Sequence, residues 1–113
     1  MEKRKIYNYV LHTYEPKRLY KCEHIYYLKD GYYYATKSDM ENNDGAFSIE
    51  DVDHFVSLVN DSSIALSSTK ELTKEELLNK LEEYIEGKIK NYTIKMNEYK
   101  EQFKSTINKG KVI

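Results

Sequence analysis

The sequence holds one cysteine, one proline and four glycines. Each scarcity removes a class of explanation. A lone Cys22 cannot close an internal disulfide, so the fold must be held by its core alone, and a reducing cytosol is the expected setting. The glycines are scattered along the chain, which leaves no glycine-rich loop to cradle a phosphate. Long apolar runs are missing. The start, MEKRKIYNYVLHTYEP, has no signal-peptide core, and no stretch approaches the length of a membrane span. Arginine is scarce too, at two residues against 16 lysines, beside 12 tyrosines and eight asparagines. That usage fits AT-rich codons and predicts an AT-rich bacterial or phage genome.

What is present is charge and tyrosine. The net charge is −1 over 113 residues, so no global field draws the chain to nucleic acid or an anionic membrane. The charge is nevertheless segregated. Residues 1–38 carry eight Lys/Arg and four Asp/Glu, residues 39–76 carry two and ten, and residues 77–113 carry eight and five. Such asymmetry points to pairing within the fold or between subunits.

The length predicts a single domain, 1–113, of α+β class. Residues 4–14 and 18–28 alternate apolar and polar side chains and predict two strands on either side of Pro16. Asp30-Gly31 predicts a tight hairpin turn to a third strand over 32–38; a two-residue type I′ loop sets the register Lys29–Tyr32, Leu28–Tyr33, Tyr27–Tyr34, and a glycine-bulge turn shifts it by one. The segment 38–46 is a loop by composition. Residues 48–61 read as one short helix, opened by a Ser48/Asp51 capping box, with Ile49, Val52, Phe55, Val56 and Val59 on its apolar face. Residues 62–68 offer a fourth strand. From the Thr73/Glu76 capping box a helical pattern runs to about Asn108. The expected architecture is therefore an N-terminal antiparallel sheet of three to four strands (1–38, with a possible strand in 39–68), one short helix, then a long C-terminal helix (69–113). Ile85, Ile89, Tyr92, Met96, Tyr99 and Phe103 follow a heptad spacing and are the expected interface of a homo-oligomer. The alternative is a break at Gly87 that folds the helix back onto the sheet.

Candidate chemistry is sparse. Asp39, Glu41, Asn43 and Glu50 sit at calcium-loop spacing, but the turn glycine is one place late at Gly45, and a solvated acidic loop is the favoured reading. Cys22 and His24 share a strand face and, with His12 or His54, would be the one metal set. A buried thiol beside a hydrogen-bonded imidazole explains them better. No catalytic residue, metal or cofactor is assigned. Glu50, Asp51 and Asp53 open the short helix inside a run, 39–61, of seven carboxylates without a lysine or arginine.

The hairpin register splits the tyrosines of YYLKDGYYYATK. Tyr26 and Tyr33 fall on the expected core face with Cys22, His24 and Leu28. Tyr27, Tyr32 and Tyr34 fall on the other, rimmed by lysines, and the candidate set on that face is completed by Lys21, Lys29 and Arg18. Such a face is either cross-strand aromatic pairing or a contact surface that stacks a base and meets phosphate.

The whole layout resembles small early proteins of phages that infect AT-rich Gram-positive bacteria. A tyrosine-rich sheet, TYEPKRLYKCEHIYYLKDGYYYATKSD, leads to a Lys/Glu-rich helix, TKEELLNKLEEYIEGKIKNYTIKMNEYKEQF. Some such proteins antagonise host defence, either by sequestering nucleotide immune signals between subunits or by binding CRISPR effectors. The resemblance implies a non-enzymatic counter-defence protein of the host cytosol. The first expectation is an oligomer that sequesters a small nucleotide through Tyr27, Tyr32, Tyr34, Lys21, Lys29 and Arg18. The second is a protein–protein inhibitor of a defence effector acting through Glu50, Asp51 and Asp53. The third is a small hydrolase or nuclease.

Overall fold

The computed structural model describes the backbone of residues 2–60, 62–89 and 94–113, and side chains for these except 87–89 and 94–97. Among the described residues, strands β1 (Glu2–His12), β2 (Arg18–Lys29), β3 (Tyr32–Tyr34), β4 (Phe47–Ser48), β5 (Val56–Asn60), β6 (Ser63–Ser68) and β7 (Lys111–Val112) form one sheet. Helices α1 (Lys37–Glu41), α2 (Ile49–Asp53), α3 (Lys74–Ile89) and α4 (Ile94–Lys109) complete the chain. The sheet order is β4-β3-β2-β1-β6-β5, with β7 added parallel to the start of β2, and the sheet curls into a half-barrel.

Of the two registers open to the hairpin, that of the two-residue loop forms. Asp30 and Gly31 both take positive φ, 53° and 81°, the pair that a two-residue turn matched to strand twist requires. Tyr27, Leu28 and Lys29 then face Tyr34, Tyr33 and Tyr32. Both expected capping boxes are made as well. Ser48 Oγ accepts the Asp51 N–H at 3.0 Å and Asp51 Oδ2 accepts the Ser48 N–H at 3.1 Å. Thr73 and Glu76 do the same for α3 at 3.2 Å each. These bonds satisfy amide groups that a helix start leaves without partners.

The core lies on both sides of the sheet. On one face Tyr9 and Leu11 of β1, Leu19 of β2, and Ile64 and Leu66 of β6 meet Leu77, Leu81 and Ile85 of α3 and Phe103 and Ile107 of α4. On the opposite face, Ile6, Tyr33 and Val52 of α2 make a second, smaller cluster, with Tyr26 and Leu28 against it. Polar ties lock the layers. Thr106 Oγ1 donates to the His12 carbonyl at 3.0 Å. The Leu72 N–H donates at 2.8 Å to the hydroxyl of buried Tyr9, and burial pushes the Tyr9 pKa up.

Four expectations are corrected. The fold class with one long C-terminal helix is wrong: α3 ends at Ile89 and α4 starts at Ile94, and the two pack against each other, with Lys104 Nζ 2.6 Å from Glu82. Gly87 lies inside α3. Of the apolar stripe, Ile85 and Phe103 are each 1% exposed in the chain's own core and Tyr99 packs on it. A stripe of that period buries equally well against a sheet or another subunit, which is why periodicity could not separate them. Tyr92, and the side chains of Ile89 and Met96, lie outside the described residues.

Second, the sheet has seven strands, not three or four. Third, the expected helix over 48–61 stops at Asp53 and becomes β5. Val56 and Leu58 there pair with Leu66 and Ile64, and the sheet partner overrides a local pattern that fitted both periods. Fourth, the third strand ends at Tyr34, and part of the expected loop is α1, capped by Thr36, whose hydroxyl accepts the Asp39 N–H.

Candidate functional site

Helix α2 sits on the sheet face opposite α3 and α4. Its position follows from three contacts. Val52 is buried against Ile6 and Tyr33. Ser67 Oγ donates to the Val52 carbonyl at 2.6 Å. Asp53 Oδ1 accepts both the Thr69 N–H and the Thr69 hydroxyl at 2.8 Å. So small a helix has little stability of its own, and these ties fix it.

Three exposed large apolar side chains lie in and beside it. Phe47 precedes α2, Ile49 opens it and Phe55 follows it, at 43%, 49% and 49% exposure. Phe47 and Phe55 flank a groove of about 280 Å³ whose floor is Ile6, Asn8, Tyr26, Val52 and Ser67, with Asp51 at its edge. On the other side the same two rings border a shallower depression shared with Glu50, Asp51 and His54. Two aromatic rings over an apolar floor, rimmed by carboxylates, can take an apolar side chain into the groove and a cation at its edge.

The three acidic candidates have separate jobs. Asp51 caps α2 and Asp53 holds Thr69. Glu50 is exposed, and among the described residues its carboxylate makes no bond. The charge of all three contributes to the field at the groove, but Glu50 alone is free to turn to a partner.

The tyrosine candidates are only partly assembled. Tyr34 is buried at 5% and unavailable as a stacking platform, Tyr32 is half-exposed at 50%, and Tyr27 lies under the Lys3 ammonium, 5.5 Å from the ring centre. Lys29 donates to the Asn43 side chain at 3.2 Å. Lys21 is ion-paired with Glu71 and lies over the Tyr7 ring. Its pKa is raised, chiefly by the hydrogen bond to Glu71. Arg18 starts β2 beside Lys111, some eleven residues from Lys29, or about 36 Å along a strand at roughly 3.3 Å per residue. The hairpin tyrosines and Lys29 therefore stand together, and Lys21 and Arg18 stand apart from them.

The expected core side of the hairpin was also misplaced at its middle. Cys22 and His24 do share a face, but both are exposed, and the thiol is not buried. The calcium-loop residues are dispersed, with Asp39 and Glu41 in α1 and Glu50 in α2. Among the described residues no three His, Cys, Asp or Glu side chains group to hold a metal ion. A Ser–His contact that the sequence did not flag links Ser63 Oγ and His12 Nδ1 at 2.5 Å, yet Ser63 is 3% exposed. No described helix is long and apolar enough to cross a membrane. Comparison with protein-family models, with curated proteins and with solved structures finds no match.

Proposed function

We propose that this chain is a non-catalytic binding protein that docks on another protein through the α2 face. One observation carries the reading: Phe47 and Phe55 stand half-exposed on a groove with an apolar lining and Asp51 at its edge, and Glu50 and Asp51 join them in the adjoining depression. Interfaces concentrate their energy in a few aromatic and aliphatic anchors near the centre, enclosed by polar groups. The carboxylates of Glu50, Asp51 and Asp53 add a field that favours a basic partner surface and speeds encounter. In the counter-defence setting implied by the resemblance, that partner is a host defence effector in the bacterial cytosol.

The non-catalytic half of the proposal rests on access. The Ser63 hydroxyl, the one nucleophile hydrogen-bonded to a histidine among the described residues, is buried beneath the sheet surface, whereas a nucleophile must reach its substrate. The nucleotide-sequestering reading loses support from the burial of Tyr34 and the distance of Arg18, and the partner reading is preferred to it.

The test is capture from a host extract by the wild-type chain and by the double variant Phe47→Ser, Phe55→Ser. Both rings are half-exposed, so the double variant is expected to keep its fold, which its circular dichroism checks. The proposal expects a discrete host protein with the wild type and its loss with the variant. Equal capture by both would place the contact elsewhere, and heat released on adding nucleotides in calorimetry would restore the sequestering reading.

A further inference from the structure

We propose that the outer edge of β5 is a strand-addition site for an extended segment of a partner protein that carries a lysine or arginine opposite Val56. The proposal extends the partner-binding reading to a second contact, and its test does not require that reading to hold.

β5 is the terminal strand of the sheet. The Phe55 carbonyl accepts the Ser67 N–H at 3.2 Å, and the register then runs Val56–Leu66, Ser57–Ala65, Leu58–Ile64. Bonded and non-bonded pairs alternate along an antiparallel ladder. With Phe55 and Ser57 turned inward to β6, the N–H and C=O of Val56 and Leu58 point outward. Edge strands are commonly protected by charge or proline. This one, Val56-Ser57-Leu58-Val59-Asn60, has neither, and its register irregularity comes only after Leu58.

Beside that edge lies an open groove of about 420 Å³ between β5 and α3, with Val56 and Leu72 as its apolar lining. A residue paired with Val56 on an added strand would share its face of the sheet and enter this groove. The groove keeps a net negative charge. Among the described residues Asp53, Glu76 and Glu83 bring three carboxylates to it, against His54 and two ammonium groups, that of Lys80 and that of Lys70, which is ion-paired with Glu76. Lys80 is turned inward to the Ser67 carbonyl at 2.6 Å, and burial holds its pKa below the usual lysine range. Glu83 is exposed, and among the described residues its carboxylate makes no bond. A second copy of this chain is a poor occupant: β5 has no basic residue to offer, and two-fold pairing would set two acidic grooves against each other.

The test uses a synthetic strand, acetyl-Thr-Val-Thr-Val-Lys-Val-Thr-Val-Thr-amide, and its counterpart with Glu at the centre, added to isotopically labelled full chain. Amide resonances and hydrogen exchange are followed residue by residue. The expected result is slowed exchange at the Val56 and Leu58 amides, and several-fold tighter binding of the Lys strand. Glu83→Gln is expected to narrow that preference about threefold, as for a partly exposed ion pair. Leu58→Pro removes an outward N–H and no bond to β6, and is expected to abolish binding. Should Leu58→Pro fail to fold, Glu83→Gln and the two amides decide alone. Unchanged Val56 and Leu58 amides at millimolar strand overturn the proposal, as does equal affinity for the two strands. A concentration-dependent dimer protected at the same amides overturns it in favour of a second copy. None of these outcomes depends on whether Phe47 and Phe55 capture a partner.

Discussion

Replacing Phe103 with Ala separates a helix folded onto its own sheet from one that pairs with another subunit. Phe103 is 1% exposed among Leu81, Ile85, Ile107 and the sheet residues Leu11 and Ile64. Truncating a buried phenylalanine costs about 3–5 kcal/mol, part transfer and part cavity. With an unfolding entropy of about 2.1 cal/mol/K per residue over 113 residues, the melting temperature should fall by roughly 13–21 °C. The assay is thermal unfolding followed by far-ultraviolet circular dichroism, repeated over about a 100-fold range of protein concentration, because linked association makes the melting temperature depend on concentration. Packing within the chain predicts a large drop and a wild-type transition independent of concentration. A small drop, or a wild-type transition that rises steeply with concentration, would refute the assignment of this residue to the chain's own core.

Three further outcomes follow from single contacts. Tyr9→Phe deprives the Leu72 N–H of its acceptor and should cost about 1–3 kcal/mol in denaturant unfolding. Burial raises the Tyr9 pKa above its ordinary 10.0, so its contribution is fully present below about pH 10 and is lost as pH rises through the raised value; Tyr9→Phe should flatten that alkaline loss, read from urea midpoints between pH 9 and 11. Gly31 holds φ at 81° with nothing near a would-be Cβ, so Gly31→Ala should cost about 1–2 kcal/mol from backbone strain alone, measured by chemical denaturation, and an unchanged midpoint would contradict the turn geometry. Ser48→Ala should remove about 0.5–2 kcal/mol by opening the α2 cap, with faster exchange at the Asp51 amide as its local signature.

The parts of the fold legible in the sequence were those set by local chemistry. Asp30-Gly31 marked a turn and narrowed the register to two, and the Ser48 and Thr73 boxes marked two helix starts correctly. What depended on a distant partner was not legible. Val56 to Val59 fit a helix face until β6 is there to pair with them. The stripe from Ile85 to Phe103 has one period for two different partners. The sheet's use of both faces was hidden because β1 is apolar in both phases, with Ile6 on one side and Tyr9 and Leu11 on the other. For the same reason the candidate site was half legible. The carboxylates Glu50, Asp51 and Asp53 stood out by composition, while Phe55 was placed on a helix face and Phe47 fell between the loop and the helix. Their exposure depends on α2 ending at Asp53, which no local signal announced.

The most direct measurement of the central claim is a hydrogen-exchange footprint of this chain in complex with the host protein it captures. Docking on the α2 face predicts slowed exchange within residues 47–55, and unchanged exchange at the hairpin from Tyr27 to Tyr34. Protection confined to that hairpin, with 47–55 exchanging as in the free protein, would contradict it.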